Sequence, residues 1–266
     1  MVSRYRQYIS IVQFEFYRHI VRKRIIIMLI VMGLSILLPI IVRYALNIPY
    51  PSNPEDMLME DLDAINTVII LAATFFAGDA LVSEYERRTG YILFPNPLRR
   101  EIIFIGKLSA SFLVSEFFVT IYYLVEIAKV SIIYGTLPYE LLLSYAYAAL
   151  YTLAVIGLAY ILNVTFRSTI VSTLLTFFFL FMIFPVMSSV LMLAKIEPWF
   201  ILTYCGDIIT LVFNPPKERI VEYKTDNITI YIYYPDFATS ILVMLIYAAT
   251  TLTASLFIFK RRELKE

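Results

Sequence analysis

Long apolar runs separated by short charged stretches extend over the whole of this chain. A helix needs roughly 20 apolar residues to cross about 30 Å of hydrocarbon. Six segments meet or approach that length: residues 25–42, 64–82, 102–125, 141–166, 168–194 and 237–259. We therefore predict an all-α integral membrane protein with six transmembrane helices, built as a single domain over residues 1–266.

Residues 1–24 predict an amphipathic helix that lies flat on the membrane surface. At about 100° per residue, one sector of this helix is apolar and carries Tyr5, Ile9, Val12, Phe16 and Ile20. The opposite sector is polar and mostly cationic, with Arg4, Gln7, Glu15, Arg18 and Arg22. Such a helix suits an anionic leaflet. A soluble amphipathic helix packed on a partner protein is the alternative interpretation.

An outer segment over residues 195–236 separates the last two predicted spans. Its apolar stretch Phe200–Phe213 is too short to span, which favours a re-entrant or interfacial helix. Two stretches rich in β-branched and aromatic residues then follow, Arg219–Lys224 and Ile228–Tyr234, and they predict a small β-hairpin. Asn227 begins an Asn-Ile-Thr sequence, which is a possible glycosylation site.

Composition and charge fit this picture. The chain is 60% hydrophobic and only 16% charged, whereas soluble domains are about 25% charged. The net charge of +1 gives no sign of nucleic-acid binding.

The distribution of lysine and arginine predicts the orientation. Most of the 22 basic residues fall on the side of the amino terminus; the exceptions are Arg43, Lys129, Lys195, Lys217, Arg219 and Lys224. The positive-inside rule then places both termini in the cytoplasm, with the lipid bilayer of the plasma membrane around the spans.

A few ionisable residues fall in or near the predicted spans. Glu116 lies midway along the third span, where a carboxylate is costly and usually faces the bundle interior or water. It is a candidate contact in a transport pathway or a dimer interface; a protonated or hydrogen-bonded packing residue is the alternative. Asp79 and Glu126 lie near span ends, where we expect contact with water. His19 is the single histidine, and we expect it to lie at the surface. One histidine gives no basis for a histidine-rich metal site.

The sequence lacks the motifs of an enzyme. Gly106-Lys107 is its only Gly-Lys pair, and Glu101 stands where a P-loop needs its first glycine, so the chain cannot bind ATP through a P-loop. No G-x-S-x-G, H-E-x-x-H or C-x-x-C sequence occurs. We therefore expect no catalytic residues and no metal site.

The second cytoplasmic loop, residues 83–101, is dense in charges of both signs and continues to Gly106-Lys107. This loop resembles that of ABC-2 type permeases, in which a glutamate–arginine turn ends in glycine and is followed by proline, a basic residue and Gly-Lys. The matching residues, in order, are Glu86, Arg87, Gly90, Pro97, Arg100, Gly106 and Lys107. The family often has threonine after the glycine, where this chain has Tyr91. The six-span layout resembles the family over nearly the whole chain.

The resemblance implies a division of labour. It implies that the chain pairs with a second permease copy or paralogue, and that each permease binds a separate ABC ATPase subunit. That subunit would hold the ATP and Mg, and this chain would need no cofactor of its own. The loop would contain the coupling helix, with Glu84, Glu86, Arg87 and Arg88 as contact charges. The direction implied is export.

Other functions are compatible with parts of the sequence. A stand-alone secondary transporter or channel is the main alternative, but seven glycines and no visible repeat argue against it. A membrane-embedded enzyme would need several polar residues at one depth, and Glu116 stands alone deep in a span. A membrane scaffold that recruits a cytosolic protein is a further alternative.

Overall fold

The computed structural model describes residues 4–21, 23–86, 99–225 and 228–261. Within these residues, six helical segments are long and apolar enough to cross a membrane. They are Arg24–Ala45 (α2), Pro54–Glu84, Arg100–Tyr134 (α6), Glu140–Thr165 (α7), Thr169–Leu193 (α8) and Phe237–Arg261 (α11). A further helix, α1, covers Arg4–Val21 ahead of them. The predicted fold class of a six-helix integral membrane protein is confirmed.

The second span is built from three consecutive helices. They are α3 (Pro54–Asp61), α4 (Ile65–Ala77) and α5 (Val82–Glu86). The span begins before the predicted residue 64 because α3 precedes it. The first turn of α3 is acidic, but the helix buries Met57 and Leu58 in the bundle. A negative first turn also suits the positive end of the helix dipole.

Helix α6 is longer than the predicted span of residues 102–125. Its 35 residues correspond to about 52 Å at roughly 1.5 Å per residue, which exceeds the hydrocarbon thickness. The helix stops at Gly135, whose φ of 71° is the left-handed conformation that commonly ends helices. Both ends of α6 therefore extend beyond the apolar layer.

The second span, α6 and α7 form the centre of the bundle. In the most apolar window of the second span, 78% of the residues are buried, against 17% in α2 and in α8. Helix α11 packs along α7, and α1 packs along α6. The outward faces of α2 and α8 are apolar, so lipid or another membrane protein must cover them. Helix α8 also contains a π-helical turn, Phe179–Ile183, which ends two residues before Pro185.

The outer segment contains short helices and the hairpin. The apolar stretch that the sequence assigns to a re-entrant or interfacial helix forms α9 (Leu202–Gly206) and α10 (Ile208–Leu211). The predicted hairpin is confirmed: β1 (Ile220–Thr225) pairs antiparallel with β2 (Ile228–Tyr233). The Lys195 ammonium lies 4.7 Å from the centre of the Tyr231 ring, which connects β2 to the end of α8. Asn227 lies outside the described residues.

Candidate functional site: charged contacts at the helix ends

Four charged side chains from three parts of the chain meet at the end of the bundle where α1 lies. We call Glu15, Arg18, Glu84 and Lys107 the ion cluster. Lys107 Nζ lies 2.5 Å from Glu15 Oε1 and 2.7 Å from Glu84 Oε1. Arg18 lies 2.7 Å from Glu15 and 3.5 Å from Glu84. The cluster therefore joins α1, the end of the second span and α6.

The charges of this cluster balance, with two carboxylates and two cations. Lys107 and Glu84 are 2% and 3% exposed, and charges so deeply buried persist only when they are paired. The structure therefore turns both side chains inward, away from any surface that a partner could contact. Their geometry suits fixing the position of the loop that begins after Glu86 rather than touching a partner directly.

Helix α1 rests on α6 at Gly106. A Cβ at this position would lie 2.7 Å from Ile11 Cγ2, so the two helices approach closely only because Gly106 has no side chain. Tyr8 donates a hydrogen bond of 2.9 Å to Ser109 Oγ beside this contact. Side chains of the predicted apolar sector, among them Tyr5 and Phe16, are exposed. The sequence identifies Gly106 from the family motif, and the structure gives it a steric role.

Two residues of α1 depart from expectation. His19 was expected at the surface but is 1% exposed, and its ring packs edge-on against Phe76 at 5.3 Å. That expectation is wrong because the polar sector of α1 turns toward the bundle. Glu15 is buried for the same reason. One signal could have identified it: Glu15 is the only acidic residue among residues 4–21, and Lys107 in a span requires a negative partner.

The prediction that Asp79 and Glu126 contact water is also wrong. Asp79 is fully buried, and Arg24 binds its carboxylate with two contacts of 2.7 and 2.9 Å. Glu126 is 1% exposed and lies 2.6 Å from Lys129 Nζ, which also lies 2.8 Å from Asp61. Although Asp79 and Glu126 lie near span ends, solvent does not reach their carboxylates, because cations from neighbouring turns and helices cover them.

The loop over residues 83–101 is anchored at both of its described ends. Before it, Glu86 Oε2 accepts a 2.8 Å hydrogen bond from the Thr169 backbone N–H, at the start of α8. After it, Arg100 donates to the Lys260 carbonyl at 2.9 Å, and Glu101 pairs with the Lys260 ammonium. These contacts satisfy helix-terminal groups that otherwise lack partners. Arg87, Arg88, Gly90 and Pro97 lie outside the described residues.

Helix α6 carries charged clusters at two levels. Lys107 belongs to the ion cluster, and Lys129 pairs with Asp61 and Glu126. The two lysines are about 33 Å apart along the axis, close to the thickness of the hydrocarbon layer, about 30 Å. The clusters therefore mark the two boundaries of the apolar layer on α6.

Glu116 lies roughly midway between these levels, apart from both clusters. Its two carboxylate oxygens are buried and have no hydrogen-bond partner among the described residues. The hydroxyls of Tyr145 and Thr152 on α7 lie near this carboxylate. The structure does not bring Glu116 together with the loop residues. Its role as a pathway or interface contact stays a prediction.

No group of three or more acidic, histidine or cysteine side chains suited to a metal occurs in the parts of the chain that the structure describes.

Comparison with known proteins identifies the family. A family model described as "ABC-2 family transporter protein" matches residues 9–264. No curated protein matches the chain. The matched region includes most of α1, all six spans and the loop whose two ends the structure anchors. The chain therefore belongs to the ABC-2 family of transporters and is a multi-pass membrane permease.

Proposed function

We propose that this permease works with a separate ABC ATPase that docks on the second cytoplasmic loop, and that the pair exports its substrate. The observation that supports this best is the anchoring of both loop ends. Residues 84–86 connect the loop to α1, α6 and α8, and residues 100–101 connect it to α11. A force applied to the loop by a partner would therefore reach most of the helices directly.

The charged residues in and around the loop have different roles. Arg87 and Arg88 contact the ATPase, while Glu84 and Lys107 hold the loop base in place. Glu86 and Arg100 connect the loop base to helix ends. The ATPase binds the ATP and Mg, both termini lie in the cytoplasm, and a second permease copy or paralogue covers part of the apolar faces of α2 and α8. Glu116 lies on the transport pathway or at the contact with that second copy.

Copurification from native membranes tests the partner. The wild-type chain, tagged at its carboxyl terminus, should bring down a stoichiometric ATP-binding subunit. The double variant Arg87→Glu, Arg88→Glu should lose it, because like charges brought together at an interface cost several kcal/mol. Arg167→Glu is the matched control, since Arg167 is exposed in the turn between α7 and α8.

Three results would overturn the proposal. One is a double variant that still copurifies fully with the ATPase. The second is an equal loss of the ATPase in the Arg167→Glu control. The third is a chain that purifies alone and dissipates an ion gradient in liposomes, which would favour a stand-alone transporter. Direction is tested separately: ATP added outside inverted vesicles should drive accumulation of the substrate inside them.

A further inference from the structure

The second span is interrupted between α4 and α5, close to the loop base. Helix α4 ends at Ala77, and α5 begins at Val82. Residues 62–86 contain no proline, and Gly78 has right-handed helical angles, with φ of −61° and ψ of −16°. Neither a proline nor a left-handed residue therefore accounts for the break. A side chain inserted into the helical hydrogen bonds is the remaining common cause of such an interruption.

Four consecutive carbonyls at the end of α4 accept hydrogen bonds from side chains of four different helices. The donors are Arg24 of α2 to Phe75 O (2.6 Å), Ser111 of α6 to Phe76 O (3.0 Å), Asn163 of α7 to Ala77 O (3.0 Å) and Thr173 of α8 to Gly78 O (3.1 Å). The last carbonyls of a helix have no partner within the helix. Here, side chains of the neighbouring helices take the place of the next helical turn.

Asn163 supplies both a donor and an acceptor at the break. In a continuous helix, the N–H groups of Leu81 and Val82 would donate to the carbonyls of Ala77 and Gly78. Instead, both N–H groups donate to Asn163 Oδ1, each at 3.4 Å, while Asn163 Nδ2 donates to Ala77 O. The Asn163 side chain is fully buried. One amide from α7 therefore connects the two sides of the break.

The contacts at the break favour an exchange of partners. The two hydrogen bonds to Asn163 Oδ1 measure 3.4 Å, beyond the usual range of about 2.7–3.2 Å for N–H···O bonds. Asn163 Nδ2 also donates to Ala159 O within α7 at 2.7 Å, so the amide would keep one partner if the break closed. The backbone groups that Asn163 binds are those that would bind each other in a helix. They can therefore exchange between the amide and the backbone.

We propose that the junction between α4 and α5 is a two-state element: Asn163 holds the second span broken, and its release lets residues 74–86 form one continuous helix. Asn163 is thus a positioning residue. Closing the break would rotate α5, which carries Glu84 and Glu86 at the base of the loop. Elements with two discrete arrangements are the physical basis of coupling between distant sites. That this movement responds to an ATPase rests on the proposed function, whereas the two-state junction itself does not.

Hydrogen exchange of the purified full-length chain tests the second state, with Asn163→Leu as the variant. Leucine keeps the branched shape of the side chain but forms no hydrogen bond. The backbone amides of residues 78–84, followed by mass spectrometry, should stay as protected as in the wild type, because Leu81 and Val82 then donate within a continuous helix. If Asn163 only fills a permanent break, the same amides lose their partner and should exchange about tenfold faster.

Labelling of Ser83→Cys tests the rotation of α5. Ser83 is buried, so rotation can only expose it. In a Cys205→Ala background, Asn163→Leu should raise the rate of reaction with a maleimide about tenfold, the usual effect of removing one buried hydrogen bond from the broken form. Ser144→Cys is the control position, because Ser144 is buried near the other end of α7, and its rate should not change.

Gly78→Ala tests the junction without changing Asn163. A Cβ at this position would clash with the Thr74 carbonyl oxygen and lie 3.1 Å from Thr173 Oγ1, which disfavours the broken form. Alanine is also the residue that most favours a continuous helix. Gly78→Ala should therefore give the same two results as Asn163→Leu. Thr152→Val is the matched control, since it removes a buried hydroxyl from α7, and it should alter neither readout.

Several outcomes would overturn the proposal. Faster exchange over residues 78–84 in either variant would give Asn163 a purely structural role. So would an unchanged labelling rate at Ser83→Cys, or an equal rise at Ser144→Cys or in Thr152→Val. Failure of both variants to fold would also contradict it, because a continuous helix would give the released backbone groups new partners. None of these results depends on the ATPase, so failure here is distinct from failure of the proposed partner.

Discussion

At the residue scale, Lys107 has the largest predicted effect on stability. It is 2% exposed and lies between two carboxylates, Glu15 and Glu84. Lys107→Met would leave those carboxylates with Arg18 as their remaining partner in the cluster. Removing one partner of a buried ion pair costs about 3–5 kcal/mol. We expect a clearly lower midpoint in thermal unfolding of the purified variant.

Two comparisons make that measurement specific to the ion cluster. Lys217→Met makes the same chemical change at an exposed lysine of the outer segment and should leave the midpoint nearly unchanged. Adding Glu84→Gln to Lys107→Met restores the charge balance and should recover part of the loss. Equal midpoints for the two lysine variants would show that the cluster contributes nothing to stability.

Asp236 caps the last span and gives a prediction about pH. Its Oδ2 accepts hydrogen bonds from the Thr239 N–H at 2.9 Å and from the Thr239 hydroxyl at 2.8 Å. The backbone hydrogen bond first, and then the hydroxyl bond, lower the pKa of Asp236 below its ordinary 3.8. Asp236→Ala should cost about 1 kcal/mol of unfolding free energy, as the loss of such a cap usually does.

The pH dependence has a definite sign. Because the folded pKa is lowered, the carboxylate contributes fully above the ordinary value of 3.8, and its contribution is lost as pH falls through the lowered value. The difference between wild type and Asp236→Ala should therefore be constant near neutral pH and shrink below pH 3.8. Asp236→Asn retains an acceptor and is the control. A difference that grows on acidification would contradict the assignment.

At the element scale, the contact between α1 and α6 depends on the absence of a side chain at Gly106. Gly106→Val would place atoms within the space of Ile11, whose Cγ2 is 2.7 Å from the ideal Cβ position. Overpacking of this kind costs about 1–3 kcal/mol. We expect a lower unfolding midpoint, partly restored by adding Ile11→Ala.

A matched glycine in α2 provides the control for this contact. Gly33 has nothing within 4 Å of its ideal Cβ position, so Gly33→Val should show only the change in helix propensity, a few tenths of a kcal/mol. If Gly33→Val destabilises as much as Gly106→Val, or if Ile11→Ala brings no recovery, then close packing of α1 on α6 is not the cause.

The elements were predictable from local pattern, whereas their partners were not. Each span satisfies a length requirement that is visible in a run of apolar residues, and the hairpin follows from two β-rich stretches around a turn. The burial of His19 and Glu15 depends on which way α1 rotates against α6, and that rotation depends on Gly106. Local periodicity gives the polar sector of a helix but not what covers it, so periodicity alone could not predict the pairing of Lys107; only its need for a negative partner pointed to Glu15.

At the scale of the whole molecule, the proposed orientation makes a labelling prediction. Cys205 is the only cysteine and is buried, so Cys205→Ala provides a background without thiols. In that background, Ser10→Cys on α1 should react with a membrane-impermeant maleimide only in inverted vesicles. Glu218→Cys should react only in right-side-out vesicles. Both original residues are exposed, so access depends on sidedness alone. The reverse pattern, or labelling of both from one side, would refute the topology.

The two charged levels on α6 also make this protein sensitive to the lipids around it. Charged groups held by neighbouring helices at both levels prevent α6 from sliding along the membrane normal. In a bilayer thinner than the spacing of those levels, α6 must tilt, because hydrophobic mismatch costs a fraction of a kcal/mol per ångström. Tilt would rotate the ion cluster, and with it the base of the loop that follows Glu86, relative to the membrane plane. We therefore expect the acyl-chain length of the host membrane to set the resting angle of the loop base, the surface on which we propose that the ATPase docks.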